Sequence, residues 1–185
     1  MHIADSLAAL AFPELRRAQM IADIGAGAGF PGLALAIALP AARVDLIESA
    51  GRKAAVIERL AAAAEIGNAR AVRARAEGWG AAKGRGAYDV ACARAVGPLP
   101  VLLEYAAPLL SDGGALVAWK GRRDAVEEAA GAHAAQELGF ELAEVRSVEP
   151  YPASRERHLH LYRKLRPTPE GFPRRAGVAA KRPLA

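Results

Sequence analysis

One ten-residue stretch constrains the fold of this chain more than any other: Asp23-Ile24-Gly25-Ala26-Gly27-Ala28-Gly29-Phe30-Pro31-Gly32. The apolar run Met20-Ile21-Ala22 leads into it, and Leu33-Ala34-Leu35-Ala36-Ile37-Ala38-Leu39 follows as the start of a buried helix. Strand, glycine turn and helix, in that order, bring bare backbone N–H groups and a helix N-terminus up to a nucleotide-like ligand. The glycines permit positive φ and remove Cβ atoms that would hold a ligand away.

The turn alone fits two cofactors. Gly25-x-Gly27-x-Gly29 has the form used for S-adenosylmethionine, while Gly27-x-Gly29-x-x-Gly32 also satisfies the dinucleotide fingerprint for NAD. Glu48 stands where an acid would hold ribose hydroxyls in either case. A purely structural turn is the third possibility.

The rest of the chain alternates. Strands are expected at 18–24, 43–48, 71–74, 88–94 and 115–120, with helices at 33–39, 52–66, 98–110 and 123–138 between or after them. Gly67-Asn68 and Gly139 serve as helix stop signals, Pro98 as a start signal, and a short helix precedes Pro13. Residues 78–86 read as a glycine-rich loop, and two consecutive strands, 140–148 and 157–164, end the series. Alternating strands and helices call for a parallel sheet wrapped on both faces, and the terminal strand pair for an antiparallel addition at one edge. The expected class is α/β: a Rossmann-like, class I methyltransferase sheet of seven mostly parallel strands, with ligands at the strands' carboxyl ends.

At 185 residues the chain suits one domain, here 1–165, followed by a tail at 166–185. Five basic residues in that tail (Arg166, Arg174, Arg175, Lys181, Arg182) stand against Glu170 and so carry four of the five net positive charges. With Pro167, Pro169, Pro173 and Pro183 it reads as extended and poorly packed, either a solubilising tail or one that meets nucleic-acid phosphate. The single cysteine, Cys92, excludes an internal disulfide. The apolar run near residue 35 stops at Pro40, too short for a bilayer span, and the first residues lack the pattern of a signal peptide, so the expected location is the cytoplasm without membrane association.

Few residues remain for the substrate region that a dehydrogenase requires, which weighs against NAD. His158 and His160 share a strand face, but a satisfied edge-strand position is a better account of them than a metal pair, and no metal site is expected. Cys92 lies among small apolar residues and reads as buried filler. Ala76-Glu77 follows the third strand, at the same sheet edge as Gly25 and Glu48, though a helix N-terminal acid accounts equally well for the spacing. Arg94 and Lys120 end neighbouring strands. Two cations in one cleft suit an anionic, oxygen-rich substrate such as RNA, the alternative being ordinary strand-end charges in water.

The segments His2-Ile3-Ala4-Asp5-Ser6-Leu7, Asp23 to Gly32, Arg75-Ala76-Glu77, Ala93-Arg94-Ala95, Lys120-Gly121, Arg155-Glu156-Arg157-His158-Leu159 and the tail from Thr168-Pro169 to Pro183-Leu184 together resemble one family. It is that of the bacterial 16S rRNA guanine-N7 methyltransferases, also known as glucose-inhibited division protein B, and the resemblance covers nearly the whole chain. It implies that Gly25, Gly27, Gly29 and Phe30 line the methionine and ribose part of S-adenosylmethionine. It further implies Glu48 on the ribose hydroxyls, Ala76 and Glu77 at the adenine edge, Arg94 between cofactor and base, and Lys120 and Arg157 on the RNA. The implied substrate is a guanosine in the decoding-region loop of 16S rRNA, met as naked RNA or as a small-subunit particle. Guanine N7 offers an in-plane lone pair, so no general base is required, and Arg94 is expected on O6 or a phosphate. Family members usually carry a further helical segment before the His-x-x-Asp-Ser motif. Its expected absence here leaves a non-catalytic RNA-binding module as the alternative to an enzyme, beside the NAD-dependent oxidoreductase. Oligomeric state is not legible in the sequence.

Overall fold

The structure is a computed structural model that describes residues 1–184; Ala185, the last residue of the tail, lies outside the described residues. Strands β1 (Met20–Ile24), β2 (Arg43–Ile47), β3 (Ala69–Val72), β4 (Tyr88–Arg94) and β5 (Leu110–Lys120) run parallel to one another. Strands β6 (Phe140–Val148) and β7 (Arg157–Lys164) form an antiparallel pair, and β7 also lies antiparallel against β5. The sheet order is β3-β2-β1-β4-β5-β7-β6. Strand order therefore reverses between β1 and β4, and a crevice opens there at the carboxyl ends.

Burial on both faces follows from period-2 alternation along the strands. Ala22, Ile24, Ala91, Ala93, Leu116 and Ala118 point to one side, where Leu99, Leu102 and Leu103 of α6 (Leu99–Ala106) and Leu138 of α7 (Ala125–Leu138) cover them. Ile21, Val90, Cys92, Val117 and Leu161 point to the other side. There they meet Leu15 of the short helix α2 (Pro13–Arg17), Leu35 of α3 (Gly32–Ala38) and Ile57 of α4 (Gly51–Ala63). Cys92 is fully buried and burial pushes its thiol pKa well up, so it is filler, as expected. The remaining helices are α1 (His2–Leu7), α5 (Ala76–Gly80) and α8 (Val178–Lys181). Among the described residues no helix is long and apolar enough to cross a membrane.

Several local expectations shift. Helix α4 stops before Gly67: its last turn closes at Ala64, and Glu65 takes the left-handed conformation at φ +53°. Asn68 has a different task, donating its side-chain amide to the carbonyls of Ala36, Leu39 and Ala42 and so tying down the end of α3. Strand β3 begins two residues early because Ala69 pairs with Val44. The Asp112-Gly113-Gly114 turn is absorbed into β5 as an irregularity opposite Tyr88 and Val90. His158 and His160 sit on an internal strand, not an edge. His158 meets the Gly121 carbonyl at 2.8 Å and His160 meets Glu128 at 3.3 Å.

The tail departs most from expectation. It is not loose. Thr168 donates to the Ala107 carbonyl at 2.6 Å, Arg174 pairs with Glu104, α8 forms, and Ala179 is fully buried. Phe172 and Leu184 pack on the core.

Candidate functional site

The glycine turn sits where β1 meets α3. Gly25, Gly27 and Gly29 all have positive φ, at 65°, 58° and 94°. The reasons for glycine differ along it. A Cβ on Gly25 would stand 2.8 Å from Val96, and one on Gly32 would stand 2.7 Å from both Asp23 and Leu46, so these two residues permit close packing within the protein. A Cβ on Gly29 would stand 2.5 Å from Leu33, whereas one on Gly27 would meet only the Gly25 carbonyl oxygen, at 3.8 Å, an ordinary contact. The expectation that every glycine clears room for a ligand therefore narrows to Gly27.

Two buried acids brace the turn. Glu48, just beyond β2, accepts the Gly27 N–H at 3.0 Å on one oxygen and the Ala50 N–H at 2.8 Å on the other. Each oxygen keeps a lone pair. Asp23 accepts the Gly32 N–H at 2.7 Å, while its other carboxylate oxygen is buried without a partner. Burial pushes the Asp23 carboxyl up to about 7, against the Gly32 hydrogen bond and the charge of Arg94, with Glu48 adding to the rise.

Three cavities follow the sheet edge. The largest, about 430 Å³, is lined by Gly25, Gly27, Phe30, Arg94 and Arg157, and also by His2, Asp5, Lys53 and Tyr151. That volume lies within the usual range of small-molecule sites. A cavity of about 160 Å³ on the other side of Gly25 is lined by Glu48, Ala76, Glu77, Val96 and Tyr105. A third, of about 200 Å³, brings Lys120 together with Arg94, Arg157, Trp119 and Asp5. Gly25, Gly27, Phe30, Glu48, Ala76, Glu77, Arg94, Lys120 and Arg157 thus border these adjoining cavities, whereas Gly29 lines none of them, the implied cofactor contact there giving way to packing against Leu33.

Three of those residues carry engagements that the sequence did not announce. Arg94 donates to Asp5 at 2.9 Å, stands 3.4 Å from His2, and holds its guanidinium carbon 5.8 Å from the centre of the Phe30 ring. Lys120 pairs with Glu127 at 2.5 Å and donates to the Gly97 carbonyl at 3.2 Å, so its charge is neutralised within the protein. Glu77 accepts the Gly177 N–H at 2.7 Å from the tail. Arg157 is exposed and, among the described residues, has no ion-pair partner.

The sequence reading gave no role to Asp5, Lys53, Tyr151 or Ala95. Asp5 belongs to the His2–Leu7 motif, which was the available signal; its carbonyl also accepts the Trp119 indole N–H at 2.9 Å, fixing α1 to the sheet. Ala95 follows Arg94 in the left-handed region at φ +57° and lines the largest cavity. An alanine held there is strained, a condition that clusters at functional sites. Its signal in the sequence was its place in the Ala93-Arg94-Ala95 segment, which says nothing of its backbone. Among the described residues no cluster of His, Cys, Asp and Glu could hold a metal ion.

The model of one protein family, rRNA small subunit methyltransferase G, matches residues 1–160. The chain belongs to that family. The Rubrobacter xylanophilus ribosomal RNA small subunit methyltransferase G is 44% identical over 187 residues, covering 99% of this chain and 72% of that one. The Chloroflexus aggregans protein of the same name is 42% identical, covering 99% and 76%. Among solved structures, a SAM-dependent O-methyltransferase from Thermotoga maritima superposes with a TM-score of 0.69 at 17% identity, over 90% of this chain and 66% of that one. The [4+2]-cyclase SpnF superposes with a TM-score of 0.67 at 16% identity, over 87% and 80%. Likeness at that level shows the fold alone, since a cyclase shares it with a methyltransferase. Membership of the methyltransferase G family makes the chain a methyltransferase with S-adenosylmethionine as cofactor, as the first register of the turn implied. The NAD register is set aside.

Proposed function

We propose that this chain methylates N7 of a guanosine in 16S rRNA, with the cofactor's adenosine end in the 160 Å³ cavity and the target base entering the 430 Å³ cavity. The observation that carries this reading is the junction at Gly25: the groove changes there from a narrow lobe that holds Glu48, Glu77 and Arg75 to a wider one that holds Arg94, Arg157 and Lys53. The residues present fit the cofactor. Glu48 keeps acceptor capacity for ribose hydroxyls, and the Gly27 backbone approaches the cavity with no side chain in the way.

When bound, S-adenosylmethionine supplies an electrophilic sulfonium methyl that needs no further activation. The chain's part is alignment and exclusion of water, since the guanine N7 lone pair needs no proton removed. Arg94, fixed by Asp5 through one terminal nitrogen, keeps its other N–H groups for the base O6 or a phosphate. Arg157 and Lys53, both exposed at the mouth, meet RNA phosphates. Lys120, already paired with Glu127, holds the cleft wall and serves the RNA through shape more than charge. Ala76 and Glu77 border the adenine.

An rRNA substrate is consistent with a cytoplasmic enzyme. The deciding experiment incubates the protein and labelled S-adenosylmethionine with small subunits, and separately with naked 16S rRNA, from cells lacking the modification. Label mapped to guanine N7 in either substrate supports the proposal. Label at another base, or none in either, sinks it, and none would favour the non-catalytic RNA-binding module.

A further inference from the structure

The C-terminal segment 166–184 lies beyond the residues matched by the family model and lines neither of the two cavities that meet at Gly25. It instead grips the outside of the smaller one. Helices α5 and α6 each give one buried acid to the segment. Glu77 of α5 accepts the Gly177 N–H at 2.7 Å, and Glu104 of α6, fully buried, accepts both arms of the Arg174 guanidinium, one at 2.8 Å. Arg174 also donates to the Arg182 carbonyl at 2.9 Å, closing the segment on itself around α8. The same two helices wall the cavity: Glu77 lines it directly, and Tyr105, next in sequence to Glu104, lines it beside Glu77.

We propose that segment 166–184 is a strap whose Arg174 and Gly177 position the cavity wall, so that strap docking and cofactor binding are one linked equilibrium. Glu77 is buried, and among the described residues Gly177 is its one hydrogen-bond donor. A buried carboxylate deprived of its donor does not keep its place. Release of the strap therefore moves a cavity-lining side chain, and by reciprocity a ligand that favours the set wall favours the docked strap. Arg174 acts at one remove: its fork fits the Glu104 carboxylate bidentately and holds Gly177 in register three residues later. The basic residue that composition offered to nucleic acid is committed to an internal acid. Neighbouring Arg175, exposed and without an ion-pair partner among the described residues, is not.

The inference rests on the smaller cavity receiving the cofactor, and the test separates the two. Titration calorimetry measures S-adenosylmethionine binding to the full chain and to Arg174→Ala, Arg174→Lys and Arg175→Ala. Hydrogen exchange at the Gly177 amide is followed in the wild type with and without cofactor. The expected result is cofactor affinity weakened about tenfold in Arg174→Ala, partly restored in Arg174→Lys and unchanged in Arg175→Ala. The methylation KM for cofactor should rise while kcat at saturation stays within about twofold, and bound cofactor should slow Gly177 exchange about tenfold. Wild-type protein that does not bind the cofactor overturns the functional reading and this inference with it. Wild-type binding with Gly177 exchange unmoved by cofactor, or with Arg175→Ala as damaging as Arg174→Ala, overturns the strap alone. The exchange measurement uses only native protein and decides the question even if Arg174→Ala does not fold.

Discussion

On the Glu48 side of Gly25 the groove is narrow and its acids are already engaged by backbone N–H groups. On the Arg94 side it is wide, and the cations at its mouth, Arg157 and Lys53, have no ion-pair partners among the described residues. The two acids of the first lobe are set before any ligand arrives, held by main chain and by the strap. The second lobe is a charged opening whose shape a partner completes. Preorganisation suits a small cofactor, whose affinity depends on a few well-placed groups. Free surface cations suit a polyanion, whose affinity grows with each phosphate neutralised. Arg94 stands between the two regimes, anchored on one side by Asp5 and available on the other.

The sharpest way to break this division is Arg94→Ala. If Arg94 serves the reacting base, methylation of small subunits should fall by about three orders of magnitude, roughly 4 kcal/mol of lost alignment, while cofactor affinity stays within about threefold. Single-turnover assays paired with cofactor titration would show it. A loss of cofactor affinity as large as the loss of rate would place Arg94 in the first lobe and collapse the distinction.

The next effect belongs to the turn itself, beneath both lobes. Asp23, with its carboxyl pushed up to about 7, keeps its proton in the folded state while the unfolded chain ionises it near the usual carboxylate range. Between those values the folded state binds more protons, so stability falls as pH rises from about 4 to about 7 and levels off above. With a rise of about three units the loss is on the order of 4 kcal/mol. Asp23→Asn should remove that slope. Denaturant midpoints for both proteins across the window would reveal a wild-type-minus-variant difference that declines with pH; a flat difference would mean that Asp23 is ionised in the fold throughout.

Third, Glu48→Gln should weaken S-adenosylmethionine binding by about tenfold to a hundredfold. It replaces a charge-assisted acceptor, worth roughly 1.5–3 kcal/mol, with an amide that cannot accept on both atoms. It should leave RNA affinity untouched. Equal losses toward both ligands would indicate a collapsed turn, not a missing acceptor.

How much of this was legible in the sequence depended on how local each cause is. Strand alternation and the glycine turn are written in consecutive residues, so the sheet, its switch point and the place of Gly25, Glu48 and Arg94 could be read directly. What stayed hidden were pairings across long stretches of chain. Lys120 looked like a free strand-end cation because its partner Glu127 lies on the following helix, across the turn of Asp124. The tail looked loose because its composition is that of a solvated segment. Yet one arginine finds a buried glutamate seventy residues earlier, and one backbone N–H finds Glu77 a hundred residues earlier. The strain at Ala95 stayed hidden although its segment was marked, since nothing in an alanine's identity announces a left-handed backbone.

The smallest expected effect tests the open lobe most directly. Arg157 is exposed and unpaired, so replacing it with alanine leaves no buried acid stranded and should shift the melting temperature little. If it neutralises one phosphate, the log–log dependence of RNA affinity on salt should become shallower by about 0.7 to 0.9, depending on whether the contacted RNA is single- or double-stranded. Lys53→Ala should do the same independently, because the two cations stand on different elements at the mouth of one cavity. Lys120→Ala makes the contrast. Its charge is spent on Glu127, so its loss should leave the salt slope nearly unchanged while costing stability through the unpaired acid. A Lys120 slope change equal to that of Arg157 would mean that RNA draws the ammonium away from Glu127 on binding, and the line between finished and unfinished walls would then run one strand further along the sheet.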